Sequence, residues 1–207
     1  MTARDPNIEA DVRAIVRRIV DGLVEDASGT ASEPKNGSLG NVSGQRGESQ
    51  AAEGRDIKAI AIGGDHGGFA LKEKLAFKLK EQGYQVVDCG TNSTDAVDYP
   101  DIAVAVASSV ATASTQVGVV IDGAGIGSAM AANKIRGVRA ALCYDLSTAR
   151  NAREHNHANV LTLGAGLIGD ALAWQITQEF LATPYGEGRH AKRVAKIDDL
   201  DRASVEG

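Results

Sequence analysis

Near the middle of the chain an acidic residue is followed by three alternating glycines, Asp122-Gly-Ala-Gly-Ile-Gly127. The β-branched run Val117-Gly-Val-Val-Ile121 leads into it, and the small-residue segment Ser128-Ala-Met-Ala-Ala-Asn133 follows. That pattern predicts a strand, a tight loop and a helix. Backbone N–H groups in such a loop sit at the positive end of a helix, a seat for an anion or a developing oxyanion. Asp122, last in the strand, is expected to face whatever occupies that seat. A second acidic loop, Gly63-Gly-Asp-His-Gly-Gly68, follows the apolar run Ile57-Lys-Ala-Ile-Ala-Ile62 and brings Asp65 and His66 to the end of another strand. Near the carboxyl terminus Arg189 and Arg193 are four apart, which on a helix puts two guanidinium groups on one face, able to grip one phosphate. On spacing alone, a solvated basic terminus fits them equally well.

Two kinds of chemistry suit the glycine loop. In dinucleotide binding, Gly123 and Gly125 would open the fingerprint and Asp145 would bind a ribose. Against this, Ser128 stands where the third glycine belongs, and Asp122 would crowd a pyrophosphate. The other kind is a small phosphorylated substrate, with the loop stabilising an enediolate and Asp122 moving a proton.

The elements that must hold these residues can be read in order. Asp5-Pro6 starts an amphipathic helix whose apolar positions run from Ile8 through Val12, Ile15, Val16, Ile19 and Val20 to Leu23 and Val24. Residues 27–54 are almost all Gly, Ser, Ala, Asn, Gln, Glu and Thr, a composition that cannot bury enough surface to order itself. They read as a flexible linker. From Ile57 onward strands and helices alternate: a helix from Phe69 to Gln82, a strand Gln85–Cys89, and a helix ending near Thr112. The central strand and its helix come next, then a strand Val138–Cys143, a helix Leu146–His155, a strand Asn159–Leu163 and a helix Asp170–Thr183. Such alternation predicts a parallel sheet covered on both faces, with ligands at the carboxyl ends of the strands. The loops carrying Asp65, His66, Asp122 and the segment near Tyr144 thereby become candidates together.

Composition narrows the classes. Aromatics make up 4% of 207 residues while hydrophobic residues reach 43%, which suits parallel α/β packing better than an aromatic-rich sandwich. A net charge of -5 without an extended basic face argues against a nucleic-acid partner. No apolar run approaches the roughly 20 residues that cross a bilayer, so no membrane partner is expected and the reading is of a cytosolic protein. Cys89 and Cys143 end apolar runs and read as buried, reduced thiols.

Five motifs occur in order: Gly-Gly-Asp-His-Gly-Gly-Phe-Ala-Leu-Lys, Asp-Tyr-Pro, Gly-x-Gly-Ile-Gly-x-x-x-Ala-Ala-Asn-Lys, Ala-Arg-Glu-His-Asn and Gly-Arg-His-x-x-Arg. Together they resemble the B-type ribose-5-phosphate isomerase family, which also holds galactose-6-phosphate isomerase subunits, over about Ile57 to Ile197. The resemblance implies an α/β fold, a three-layer α/β/α Rossmann-like domain with a five-stranded parallel sheet over residues 55–197, followed by a loose tail at 198–207. It implies aldose–ketose isomerisation through a cis-enediolate without metal or cofactor, by default of ribose 5-phosphate to ribulose 5-phosphate. It also implies a homodimer or dimer of dimers with shared active sites. On the matching motifs, Asp65 and His66 contact the sugar and its phosphate side, and Tyr99 lines the pocket. The loop residues Gly123, Gly125, Ile126, Gly127 and Ser128 line the substrate, His155 assists ring opening, Asn156 binds a hydroxyl or the enediolate, and Arg189 and Arg193 hold the phosphate. His157 and His190 carry no catalytic expectation, although His190 falls near the phosphate arginines.

The chain departs from the family at the glycine loop. One branch has a cysteine base at the position of Asp122 and a threonine at that of Ala124, and another uses a glutamate at that of Ser128. Asp122 is therefore the expected base, with His155 as its catalytic companion. The alternatives are a sugar-phosphate-binding subunit with weakened or no turnover, or an isomerase of a tetrose or hexose phosphate. The helix in residues 1–26 is similar to the encapsulation peptides of bacterial microcompartment cargo. That likeness implies a shell protein as partner through residues 5–26 and a place in the microcompartment lumen. Self-association and docking on the parent domain compete with it.

Overall fold

A computed structural model describes residues 57–203 of the chain; the amino-terminal helix and linker expected in residues 1–54 lie outside them. Strands β1 (Ala59–Gly64), β2 (Gln85–Asp88), β3 (Val117–Asp122), β4 (Ala140–Leu142) and β5 (Val160–Gly164) alternate with helices. The helices are α1 (Phe69–Glu81), α2 (Tyr99–Ala111), α3 (Ile126–Ala132), α4 (Leu146–Asn156), α5 (Asp170–Ala182) and α6 (Arg189–Ala203). All strand pairs are parallel and the order is β2-β1-β3-β5-β4. The expected three-layer α/β/α architecture with five parallel strands is thus the observed one.

Burial explains the strand sequences. β1, β3 and β5 lie inside the sheet and are buried at nearly every position, which is why they read as continuous apolar runs. On one face Ile60, Ile62, Val119, Ile121, Leu161 and Leu163 pack with Leu75 and Leu79 of α1 and Ile176 and Phe180 of α5 in one apolar cluster. Each fully buried side chain of this size stabilises the fold by about 1.5–3 kcal/mol. The other face is made of smaller residues because α2 lies close upon it. A Cβ at Gly63 would meet Ile102 and Val106 at 2.7 and 2.8 Å, and one at Gly118 would meet Val106 at 2.6 Å.

The strand order creates the crevice. The connection after β1 runs outward to β2, whereas the connection after β3 runs the opposite way to β4, so the loops at their carboxyl ends part from each other. The β1 loop nevertheless lies tightly on β3. Asp65 N–H donates to the Ile121 carbonyl at 3.2 Å. Lys72, only 1% exposed, ties α1 to the end of β2 by donating to Asp88 at 2.6 Å and to the Thr91 carbonyl at 2.8 Å. Both cysteines are buried and unpaired, and burial pushes each thiol up to about 11.

The expected loose tail is corrected in part. Residues 198–203 complete α6, because Asp198 pairs with Arg139 at 2.8 Å and Asp201 accepts from the Gly137 N–H at 2.7 Å. Residues 204–207 lie outside the described residues.

The contact between the β1 loop and β3 has a direct test. A Cβ at Gly68 would lie 2.1 Å from the Ile121 carbonyl oxygen, backbone that cannot swing aside. Gly68→Ala should therefore cost about 1–3 kcal/mol or more, read as a drop in Tm of roughly 2–4 °C per kcal/mol. An unchanged Tm would contradict the packing described.

Candidate active site

Asp122 does not point outward. Its side chain, 5% exposed, turns back into the loop that follows it. Oδ1 accepts the Ala124 N–H at 2.8 Å and the Gly125 N–H in a very short contact. Oδ2 accepts the Ser128 N–H at 3.1 Å together with the Ser128 hydroxyl. An ionised carboxylate has about four acceptor sites, and four donors fill them. The expectation that Asp122 faces outward is corrected on this geometry: both oxygens are engaged within the loop, and the carboxylate clamps the loop's shape. Ser128 is corrected with it. It is completely buried, both its donors are spent on Asp122, and it does not line the cleft.

The clamp sorts the loop's backbone donors. Ala124, Gly125 and Ser128 give theirs to Asp122, and Ala129 gives its N–H to the Gly125 carbonyl at 3.2 Å. Among the described residues, the N–H groups of Gly123, Ile126 and Gly127 have no protein acceptor. These three are the oxyanion donors that remain. Gly125 makes the turn possible, being left-handed at φ 75° with Leu142 Cδ1 only 2.5 Å from where a Cβ would be. Neighbouring strands brace the loop from behind: Ala165 N–H donates to the Asp122 carbonyl at 2.8 Å, Gly166 N–H to the Gly123 carbonyl at 3.0 Å, and the Tyr144 hydroxyl to the Ala124 carbonyl at 2.8 Å.

Around the same cleft stand Asp65, His66 and Tyr99. Asp65 is 7% exposed, and its Oδ1 accepts the Gly68 N–H at 2.8 Å. The Val97 N–H donates to His66 Nδ1 at 3.4 Å, so a neutral His66 carries its proton on Nε2 and offers it as a donor. Tyr99, at the start of α2, packs against Gly127 so closely that a Cβ there would lie 2.5 Å from its ring. His66, Gly67, Tyr99, Gly123 and Ile126 are all exposed, so the cleft is open in a single chain.

The other expected residues gather elsewhere. α4 leaves the carboxyl end of β4 at Leu146, and His155 lies about 14 Å further along its axis, towards the amino ends of the strands. There its ring stacks on His190 at 4.3 Å, with Nδ1 2.9 Å from Asn151 Oδ1. Arg189 Nε donates to His190 Nε2 at 3.3 Å. Partial loss of water lowers the pKa of His190, and His155, Arg189 and Arg193 lower it further. Asn156, Arg189 and Arg193 are exposed at this pole. The segment before α6 is held by the buried Arg153, whose guanidinium lies over the rings of Phe180 at 5.1 Å and Tyr185 at 4.3 Å. His157 stacks on Tyr185 at 4.5 Å and pairs with the Gly186 carbonyl at 2.7 Å, a structural duty. One chain therefore brings Asp65, His66, Tyr99 and the glycine loop together at one pole of the sheet, and His155, Asn156, Arg189 and Arg193 together at the other. Tyr144, Val97 and Gly67 join the first group without having been singled out by role; the motif around Asp65 and the proximity of Tyr144 to β4 were the available signals.

If Asp122 is the clamp, removing it orphans several donors. Asp122→Ala should lose about 1–3 kcal/mol for each buried N–H left unsatisfied, and Ser128→Ala about 1.5–3 kcal/mol for one bond to a charged acceptor. Thermal melts should place Asp122→Ala well below Ser128→Ala, and Asp122→Ala melting with the unaltered protein would refute the clamp.

Residues 60–197 match the ribose/galactose isomerase family model. Ribose-5-phosphate isomerase B of Escherichia coli (strain K12) is 40% identical over 146 residues, 70% of this chain and 98% of that protein. Among solved structures, ribose-5-phosphate isomerase B of Clostridium thermocellum superposes with a TM-score of 0.70 at 44% identity, covering 70% of this chain and 99% of that one. The enzyme of Mycoplasma genitalium, solved with bound ribulose-5-phosphate, gives a TM-score of 0.68 at 41% identity, covering 70% and 96%. The chain belongs to the ribose/galactose isomerase family and is an enzyme of the aldose–ketose isomerase class.

Proposed function

We propose that this enzyme interconverts ribose 5-phosphate and ribulose 5-phosphate through a cis-enediolate, in sites that each draw on two copies of the chain. The observation that carries the reading is the separation of the two residue groups to opposite poles of one sheet. The glycine-loop pole offers oxyanion donors, the His66 Nε2–H donor and the Tyr99 wall. Among the described residues it offers no arginine to hold a phosphate. The His155 pole has Arg189 and Arg193 but no oxyanion loop. A symmetric dimer that sets one pole of each chain against the other pole of its partner completes two sites at once. The exposed side chains of Tyr99, Val104, Ile126 and Met130, apolar and beside the open cleft, give such a partner a surface to cover.

In the completed site, His155 and Asn156 of a second copy act on the ring oxygen and a hydroxyl, and its Arg189 and Arg193 hold the phosphate. The unclaimed amides of Gly123, Ile126 and Gly127 stabilise the enediolate oxygen as charge develops. Ribulose-5-phosphate bound in the Mycoplasma genitalium structure supports the pentose phosphate over a tetrose or hexose phosphate.

Ribose 5-phosphate incubated with the protein in deuterium oxide should incorporate solvent deuterium, and absence of exchange with any pentose, tetrose or hexose phosphate would refute isomerase activity. The shared site has its own test in complementation. His66→Ala and Arg193→Ala, each impaired alone, should recover roughly a quarter of full activity when refolded together in equal amounts, because a mixed dimer holds one site with both residues intact. No recovery would assign both residues to the same chain's site.

For residues 1–54, the amphipathic pattern supports a helix, residues 5–26, that docks its apolar stripe in the groove of a microcompartment shell protein, with residues 27–54 as tether. Deleting residues 1–54 should keep isomerase activity and abolish co-purification with shell protein. A truncated protein that still co-purifies would refute the docking helix.

A further inference from the structure

Asn151 and His155 lie four residues apart on α4, so their side chains meet one turn from each other on a single face. His155 Nδ1 is 2.9 Å from Asn151 Oδ1. An amide oxygen has no proton to give, so this bond forms only when Nδ1 carries one. A neutral His155 held in this way has its hydrogen on Nδ1 and a bare lone pair on Nε2. Nε2 is left for another molecule. Glu154 Oε1 stands 3.8 Å from it, beyond hydrogen-bonding distance, and 36% of the His155 side chain is exposed.

The plane of the ring is fixed separately. His190 stacks on it at 4.3 Å with 5° between the two planes. Arg189 Nε donates to His190 Nε2 at 3.3 Å, so a neutral His190 keeps its own proton on Nδ1. Stacking is blind to a half-turn of the imidazole, because a ring with Nδ1 and Cδ2 exchanged covers the same area. The Asn151 bond distinguishes the two edges, and it selects the tautomer at the same time.

We propose that Asn151 is a positioning residue for ring opening: it holds neutral His155 as the Nδ1–H tautomer and so keeps Nε2 free as a base. The assignment rests on the isomerase reading above and on the part that reading gives to His155. Ribose 5-phosphate in its furanose form is closed between C1 and O4. Nε2 takes the proton of the O1 hydroxyl, the O1–H pair becomes the π bond of the C1 carbonyl, and the C1–O4 bond breaks with its pair going to O4. The imidazolium returns the proton to O4, so atoms and charge balance without a co-reactant and His155 ends as it began. With the proton on Nε2 instead, the ring meets the O1 hydroxyl with a hydrogen and not a lone pair. Ribulose 5-phosphate supplies an internal control. Its C5 oxygen carries the phosphate, so no five-membered ring closes on its C2 carbonyl, and it reaches the enediolate without ring opening.

The test compares the unaltered protein with Asn151→Leu and Asn151→Asp in three measurements at pH 8. These are long-range proton–nitrogen NMR of the His155 ring, conversion of ribose 5-phosphate, and exchange of solvent deuterium into C1 of ribulose 5-phosphate. Asn151 is exposed on its helix and leucine is a good helix former, so Asn151→Leu keeps the fold. Its His155 should shift towards the Nε2–H tautomer. Regaining the working tautomer then costs what the lost hydrogen bond held, so conversion of ribose 5-phosphate should fall roughly three- to tenfold. Exchange into ribulose 5-phosphate should stay at the unaltered rate. Asn151→Asp keeps an acceptor oxygen in the same place and should restore both the Nδ1–H signature and the conversion. An Nε2–H tautomer in the unaltered protein, or an Nδ1–H tautomer that survives in Asn151→Leu, would overturn the assignment. So would unchanged conversion of ribose 5-phosphate by Asn151→Leu, or equal slowing of both sugars, which marks damage to the whole site. Absence of exchange by the unaltered protein would instead bring down the isomerase reading itself.

Discussion

The four hydrogen bonds that converge on the Asp122 carboxylate organise everything else at the strand ends. A buried carboxylate is costly to desolvate unless its lone pairs are met, and here three backbone amides and the Ser128 hydroxyl meet them. The same bonds bend the chain through the left-handed Gly125 and start α3. They also decide which amides remain for a ligand, leaving Gly123, Ile126 and Gly127 without a protein acceptor among the described residues. The carboxylate thus sets the shape of the loop that borders the cleft. Substrate specificity and turnover then depend on groups brought to that place by other elements.

Those other elements arrive from two directions. Within the chain, the tight approach of Gly68 to Ile121 draws the β1 loop, and Asp65 with it, against the glycine loop. The remaining groups sit at the far pole because α4 carries His155 down the length of the sheet. Arg153, wedged between Phe180 and Tyr185, anchors the segment that positions Arg189. A buried guanidinium without a carboxylate partner among the described residues is tolerated here because two carbonyls and two aromatic faces surround it. The proposed second copy is what would join the arginines of this pole to the amides of the other.

Much of this was legible before the structure. Period and burial predict the five strands, and Gly83 and Gly137 mark element ends where φ turns positive. The edge elements were read less well: β4 is only Ala140–Leu142, and β1 begins at Ala59 rather than Ile57. α6 outruns its expected end because Asp198 and Asp201 reach partners distant in sequence, information no local pattern holds. The direction of the Asp122 side chain is the part of the site that the sequence pattern does not carry. An aspartate ahead of a glycine turn can satisfy its own loop's amides, and Ser128, six residues on, was the available hint. Periodicity places a side chain at a strand end without saying whether it looks outward or back. The separation of His155 from the glycine loop was implicit in the alternation of strand and helix, since a helix returning from a carboxyl end must finish at the amino end.

The central claim, that Asp122 divides the loop's amides into three that hold the fold and three that hold the ligand, is most directly tested by hydrogen exchange resolved at single amides. In the free protein Ala124, Gly125 and Ser128 should be protected while Gly123, Ile126 and Gly127 exchange rapidly, and ribose 5-phosphate should slow the second group alone. Rapid exchange at Ala124, Gly125 and Ser128, or protection by the sugar spread equally over all six, would contradict it.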